Sequence, residues 1–345
     1  MTARIERLRE SLEEPLLVTN PTNVRYLTGF ESSNAVVLVE EERTRLFADF
    51  RYATAAAEVP GVEFEQTKRD VVGDLAERLS GRFAFEPAHV SYAGYERLRA
   101  GGLELVPRPG VVEALRAVKD EHELDALRRA CAITDRVYER LAETAFVGRS
   151  ERDVAWTMTQ LFHEEGAEAV WVELIVASGP NAAKPHARAG EREIGRGETV
   201  VIDAGCLIDG YSSDYTRTYA TGPLPGGLHD AYRVVAEAQQ AALEGIRAGL
   251  TGVDADGIAR AVVEATEFKA TFGHGLGHGL GLEVHEAPRM STESTDTLAP
   301  RNVVTVEPGI YLEGLGGIRI EDDVVVTANG IDNLTNLRKD LVDVG

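Results

Sequence analysis

The chain has 345 residues, 43% of them hydrophobic, enough apolar material for two globular domains of roughly 150 residues each. Its 36 Lys plus Arg against 57 Asp plus Glu leave a formal net charge of -21, which repels phosphate backbones and anionic bilayers and excludes nucleic acid and membranes as expected partners. Two cysteines, Cys131 and Cys206, provide no disulfide framework; Met1 to Glu10 lacks the apolar stretch of a signal peptide, and no apolar run approaches the ~20 residues of a membrane span, so a cytoplasmic protein is expected.

In chain order, Thr2 to Leu12 reads as a helix and Leu16 to Thr19 as a short strand ending at Asn20-Pro21. Ala35 to Val39 and Arg45 to Ala48 are strands on either side of the charged turn Glu40 to Arg43, and Ala53 to Glu58 and Val72 to Leu79 look helical. Such alternation predicts an α/β domain, and its scarcity of chemistry-bearing residues suggests recognition or assembly. Pro107-Arg108-Pro109-Gly110 punctuates the chain before a second domain, giving the expected division 1–118 and 119–345. A helix starts at Asp120 with Glu123 at capping-box spacing, and Leu124, Leu127, Cys131, Tyr138 and Leu141 share one face, so Cys131 is expected to be a buried small hydrophobe. A second helix begins near Ser150, with Asp153 at the same spacing. A third spans about Leu228 to Ala248, and a fourth follows Thr251. The stretches 170–177, 199–220 and 302–327 are β-rich, so the second domain is expected to be α+β with hairpins.

The first of those hairpins carries two aspartates. Val200 to Gly205 and Tyr211 to Thr216 flank Asp209-Gly210, a strong turn signal. With Asp209-Gly210 as the turn pair, position 203 lies opposite 216 and Asp214 is a diagonal neighbour of Asp203; a slip of one residue would set the two directly opposite. Either way the carboxylates converge, and they repel unless a cation or proton lies between them. Further on, Val303 to Gly309 and Gly317 to Asp322 form a second candidate hairpin, with Gly314, Gly316 and Gly317 at its turn. An odd-length loop puts Glu307 and Glu321 on one face, and an even one separates them. Either glutamate is costly to bury within apolar runs unless paired or metal-bound. Three of the eight histidines fall between Phe272 and Glu286, where five glycines in nine residues permit close backbone approach, and His186 lies in another Gly/Pro-punctuated stretch. Asp203, Asp214, Glu307 and Glu321 carry four negative charges that two divalent cations would offset, with one imidazole from the histidine run as a fifth ligand. Mostly oxygen donors favour an ion such as Mn.

The order Asp203, Asp214, His278, Glu307, Glu321 resembles the ligand set of the pita-bread metallopeptidases, the family of prolidase, aminopeptidase P and methionine aminopeptidase. Asp203-Ala-Gly through Asp214-Tyr-Thr-Arg-Thr, His274 to Glu286, Val306-Glu-Pro-Gly and Arg319-Ile-Glu-Asp carry the resemblance. Asn23-Val-Arg-Tyr-Leu-Thr-Gly-Phe30 and Asp49-Phe-Arg-Tyr52 are similar to the creatinase-type N-terminal domain, which argues against methionine aminopeptidase, while the intact ligand positions argue against metal-free creatinase. The resemblance implies an α/β N-terminal domain, an α+β pita-bread catalytic domain and two divalent ions per subunit, Mn first with Co or Zn as alternatives. It implies that His186 and His285 contact substrate and polarise the scissile carbonyl, that Glu307 is proton shuttle as well as ligand, that His274 lines the pocket, and that Arg319 supports the metal carboxylates. Cys206 is read as a filler of the hairpin. Arg289, four residues after His285, resembles a carboxylate-binding arginine of prolidases, and its fork suits a free carboxylate following proline. The implied activity is hydrolysis of the Xaa-Pro bond, preferably in dipeptides, by a homodimer. The alternatives are aminopeptidase P acting on longer peptides and, more remotely, a non-catalytic binding module, which loss of ligands would mark.

Overall fold

The computed structural model describes residues 2–171 and 174–345, and the chain divides into a compact unit ending at Arg116 and a second beginning at Ala117. The first unit is built on a six-stranded sheet in the spatial order 63–67, 44–49, 35–39, 16–18, 81–85, 103–107. The hairpin Ala35–Val39/Thr44–Asp49 and its pairing with Leu16–Val18 are antiparallel, and the other three pairings are parallel. This mixed sheet is the expected α/β arrangement. Leu17, Val36, Leu38 and Phe47 of the sheet pack with Val71, Leu75 and Leu98 of its helices into one core.

One expectation for this unit needs correction, and one helix was not anticipated. The first helix ends at Arg9 rather than Leu12, because the Ser11 N–H and hydroxyl both bond the Leu8 carbonyl at 3.0 and 2.7 Å, closing a tight turn instead of a further α-turn. Asn20-Pro21 opens a helix, Pro21–Thr28, in which Asn20 caps the Thr22 N–H and Pro21 occupies the first turn, where no N–H is needed.

The second unit is α+β. Helices Glu121–Ala142 and Glu151–Glu164 start with the expected capping boxes at Asp120/Glu123 and Ser150/Asp153. They share a core with the sheet strands 175–178, 199–204 and 215–220 through Leu127, Val137, Val154, Phe162, Val176, Val200 and Ile202. Helices Leu228–Gly245 and Gly252–Glu264 share another core with strands 303–306, 309–312, 316–319 and 322–326 through Val235, Ala238, Ala259, Val306, Ile318 and Val324. The third helix stops at Gly245, short of Ala248, because Ile246 turns extended (φ -68°, ψ 131°) and drops fully into this core. A side chain at Gly245 would meet Ile258 at 2.8 Å, so the glycine sets how closely the two helices approach. The expected stretch 170–177 becomes strands Ala169–Val170 and Ile175–Ser178; residues 172 and 173 lie outside the described residues. Cys131 and Cys206 are both buried and unpaired with each other.

Candidate active site

Both hairpins of the second unit deliver carboxylates to one place. Strand Thr199–Ala204 is buried at every position except Asp203, which faces the cavity described below. Asp209 and Gly210 both adopt positive φ (50° and 76°), and Leu207↔Ser212 and Ile208↔Tyr211 pair across them. The same register sets Asp203 opposite Thr216, so the unslipped alternative forms and Asp214 is the diagonal neighbour. A Cβ at Gly205 would sit 1.8 Å from the Ser213 carbonyl, so only glycine lets the hairpin close here. Asp214 is anchored by its own N–H, which donates to Asp323 Oδ2 at 2.9 Å. In the second hairpin Leu312 pairs with Gly316, leaving the three-residue turn 313–315. Gly316 and Gly317 therefore belong to the strand, and Gly314 alone of the three glycines serves the turn, with φ 76°. The odd loop, flanked by Val306↔Asp322 and Gly309↔Arg319, brings Glu307 and Glu321 face to face.

His278 comes from strand Gly277–Gly279, held between strands Glu286–Met290 and Val303–Val306. Side chains at Gly277 or Gly279 would lie 2.0 Å from the Thr305 carbonyl or 2.2 Å from that of Ala287, so the alternating glycines let three backbones crowd around the ring. The His278 Nδ1–H donates to the Gly279 carbonyl at 3.1 Å, which leaves the Nε2 lone pair free to face Asp214 Oδ2 at 3.6 Å and Glu307 Oε1 at 3.4 Å. Asp214, His278 and Glu321 each place a ligating atom within 4.8 Å of the others.

Arg319 ties the carboxylates together. Its Nη2 donates to Asp203 Oδ2 at 2.6 Å and its Nε to Thr216 Oγ1 at 2.8 Å, and that hydroxyl donates onward to Glu321 Oε2 at 2.6 Å. Its Nη1 donates to Tyr311 Oη at 3.0 Å. An arginine only donates, so the Tyr311 proton goes to His274 Nε2 at 2.9 Å, and His274 Nδ1–H goes to the Gly275 carbonyl at 2.8 Å. That polarity requires a neutral His274, and burial, reinforced by nearby Arg319, holds its pKa down at about 4. Burial, then the neighbouring His285, likewise lowers His278 to about 4, keeping its lone pair available.

Four carboxylates face one guanidinium, an imbalance that low-dielectric surroundings make expensive. Burial first, then mutual repulsion with Glu321 and Asp203, pushes Asp214 well above the usual carboxylate range. Burial, then Glu307 and Asp203, does the same to Glu321, and burial raises Glu307 to about 8. Asp203 Oδ1 is buried with no hydrogen-bond partner. Four carboxylates, one of them with an orphaned oxygen, and one unprotonated imidazole nitrogen make a donor set that fits a pair of divalent cations.

These groups line one cavity of about 670 Å³. All ten residues singled out from the sequence border it: Asp203, Asp214, Glu307 and Glu321 with His278, Arg319 and His274, and His186, His285 and Arg289. The last three are exposed, and the His285 and His278 rings lie 4.3 Å apart between centroids. Partial burial, then Arg289, lowers the His285 pKa. Sequence reasoning missed Thr216 and Tyr311, although strand periodicity puts them on the faces of Asp214 and Glu307. It also missed Trp171, Leu174, Ile175 and Val284, the cavity's apolar wall, which only the tertiary fold assembles.

Residues 125–328 match metallopeptidase family M24, and residues 4–118 match the creatinase/prolidase N-terminal domain. A Xaa-Pro dipeptidase of Pyrococcus furiosus is 33% identical over 352 residues, spanning 99% of this chain and 100% of that protein. Among solved structures, a Xaa-Pro dipeptidase from Bacillus anthracis superimposes with a TM-score of 0.95 at 36% identity, covering 99% of each chain. An X-Pro aminopeptidase from Thermotoga maritima gives a TM-score of 0.89 at 32% identity, covering 98% of this chain and 100% of that one.

Proposed function

The chain belongs to metallopeptidase family M24 and carries a creatinase/prolidase N-terminal domain, and from that premise we propose that it is a Xaa-Pro dipeptidase whose site holds two divalent metal ions. The observation that carries the reading is the convergence of Asp203, Asp214, His278, Glu307 and Glu321 at one cavity, with the His278 lone pair aimed at the carboxylates. These five residues are the proposed ligands, and the oxygen-rich set favours Mn, with Co or Zn as alternatives. The domains are proposed to span 1–118 and 119–345. Bound there, a pair of divalent ions would supply Lewis-acid polarisation of the scissile carbonyl and a water acidic enough to attack at neutral pH. Arg319, through Asp203 and through Thr216 to Glu321, holds the ligating carboxylates in place. His285 and His186, on the open side, donate to the carbonyl oxygen as charge develops on it. Glu307 accepts the proton of the attacking water and delivers it to the proline nitrogen. His274 and Tyr311 keep Arg319 oriented through their hydrogen-bond chain.

Arg289 is proposed to read the substrate's C-terminal carboxylate. It lies opposite His278 across the strand pair, with its main-chain N–H fixed to Asp296 Oδ2 at 2.7 Å and its side chain exposed at the cavity. Losing a charge-assisted hydrogen bond costs roughly 1.5–3 kcal/mol, or about 10- to 150-fold in kcat/KM. Arg289→Ala is therefore expected to depress Met-Pro hydrolysis by that order and Met-Pro-Ala hydrolysis much less. Equal losses on both substrates would move the assignment to an aminopeptidase acting on longer peptides, the activity carried in the name of the Thermotoga maritima neighbour.

The raised carboxyl groups give a pH signature to the metal-free protein. A carboxyl group whose folded pKa lies above its unfolded value stabilises the fold while protonated and loses that contribution as pH rises through the folded pKa. His274 and His278, lowered to about 4, are already neutral above pH ~7 and contribute no slope there. With Glu307 at about 8, thermal scans should show the metal-free Tm falling from roughly pH 7 to pH 9 and the metal-loaded Tm holding. Parallel profiles for the two forms would count against these carboxyl groups as ligands.

We also propose a homodimer, motivated by the resemblance of the first unit to the creatinase/prolidase N-terminal domain, a unit that supplies none of the proposed ligands or catalytic residues; light scattering should return a dimer mass, and a fully active monomer would contradict it. A cytoplasmic location is proposed from the two buried thiols, Cys131 and Cys206, in a chain without disulfides among the described residues.

A further inference from the structure

We propose that Glu151 is a positioning residue for His186, fixing the loop that carries it; the inference rests on the Xaa-Pro hydrolase reading. His186 lies in the irregular segment between Ser178 and Gly190, whose own hydrogen bonds are short-range turns such as Ala182 N–H to Gly179 O, Lys184 N–H to Asn181 O and Ala187 N–H to Lys184 O. Such a segment does not hold an exposed imidazole in one place by itself. Glu151, fully buried at the first position of helix Glu151–Glu164, reaches both ends of it. Its Oε1 accepts the Ser178 N–H and the Ser178 hydroxyl, both at 2.8 Å. Its Oε2 accepts the Gly190 N–H at 3.2 Å, and the Asn181 side-chain amide reaches both oxygens at 3.2 Å.

The seam is continuous. The Glu151 and Arg152 N–H groups, which a helix start leaves without intrahelical partners, donate to the Arg192 and Gly190 carbonyls at 3.0 Å each. Arg192 Nη1 donates to Ser178 Oγ at 2.6 Å, which directs the serine proton to Glu151. The middle of the segment meets the site through the Pro185 carbonyl, which accepts from Arg319 Nη1 at 3.2 Å. A side chain at Gly317 would lie 2.0 Å from the Ala182 carbonyl, so the segment sits tightly on the strand that carries Arg319. Glu151 thus pins the two ends of the segment, and Arg319 pins the residue before His186.

Every group facing the Glu151 carboxylate is a donor, and this decides the test. Glu151→Gln keeps the size but turns an amide N–H₂ against the Gly190 N–H or the Asn181 amide, so one end of the segment is released. Displacing a catalytic group by about 1 Å costs up to about 100-fold in rate. Hydrogen exchange on Glu151→Gln should show faster amide exchange confined to about 178–190, and Met-Pro kcat should fall by up to about 100-fold with bound metal unchanged. In a His186→Ala background the same substitution should cost less than about 2-fold further, because the group it positions is already gone. A full multiplicative loss on top of His186→Ala, or wild-type exchange and kcat in Glu151→Gln, would overturn the proposal. If Glu151→Gln does not fold, Asn181→Ala, which removes one donor and leaves the carboxylate, should move exchange and kcat in the same direction by less, and no change in either overturns the proposal. A wild-type protein inert towards Met-Pro would defeat the dipeptidase reading, and the exchange measurement would still decide the clamp.

Discussion

Asp214→Ala and Glu321→Ala should each abolish Met-Pro turnover and lose bound metal in the same preparation. Both carboxylates are buried, and with the His278 nitrogen they place ligating atoms within 4.8 Å of one another. Alteration of groups that merely support a metal ligand costs about 10- to 100-fold in affinity or activity, so loss of a ligand itself should leave less than about 1% of the rate. The fold should survive Asp214→Ala, because the anchor to Asp323 is the Asp214 main-chain N–H rather than its side chain. Removal of a carboxylate from a crowd of four should even raise the Tm of the metal-free protein, since it relieves part of the repulsion that adds to burial in raising Asp214. Metal analysis and turnover on the same folded sample are the check. A variant that keeps its metal complement and its rate would remove that residue from the ligand set.

His285→Ala and His186→Ala should separate rate from metal. Neither ring belongs to the cluster of ligating atoms, and both are exposed on the cavity's open side, where a substrate carbonyl would approach. Removing one donor to a developing oxyanion costs roughly 10²–10³ in kcat, so each variant should lose that much while binding the wild-type amount of metal. If either loses its metal while remaining folded, that histidine is a ligand and its role here is misassigned. His285 is the more exacting case, since its ring lies 4.3 Å from that of His278, centroid to centroid, and its removal leaves space beside a proposed ligand.

How much of this was legible in the sequence depended on how local each determinant is. The Asp209-Gly210 turn is a two-residue signal, and it carries the register of Asp203 and Asp214 with it. The Glu307/Glu321 register was ambiguous because three glycines crowd the turn and only folding selects the odd loop 313–315. Asn20-Pro21 reads equally as a strand stop and a helix start; packing of Val24 and Leu27 into the first unit decides for the helix. The chain from Arg319 through Tyr311 to His274 joins residues up to 45 positions apart, and no pattern in the sequence announces it. Glu151 looks from the sequence like an ordinary acidic residue in a first helical turn, where the helix dipole favours one. Only the return of the 178–190 segment onto that turn gives its carboxylate four donor groups.

The most direct measurement is a titration of chelator-stripped protein with Mn²⁺, following bound metal and Met-Pro turnover on the same sample. No turnover is expected without metal, then a rise that saturates at about two bound equivalents per chain. Full turnover by the stripped protein, or metal binding that saturates with no hydrolysis of Met-Pro, would contradict that expectation.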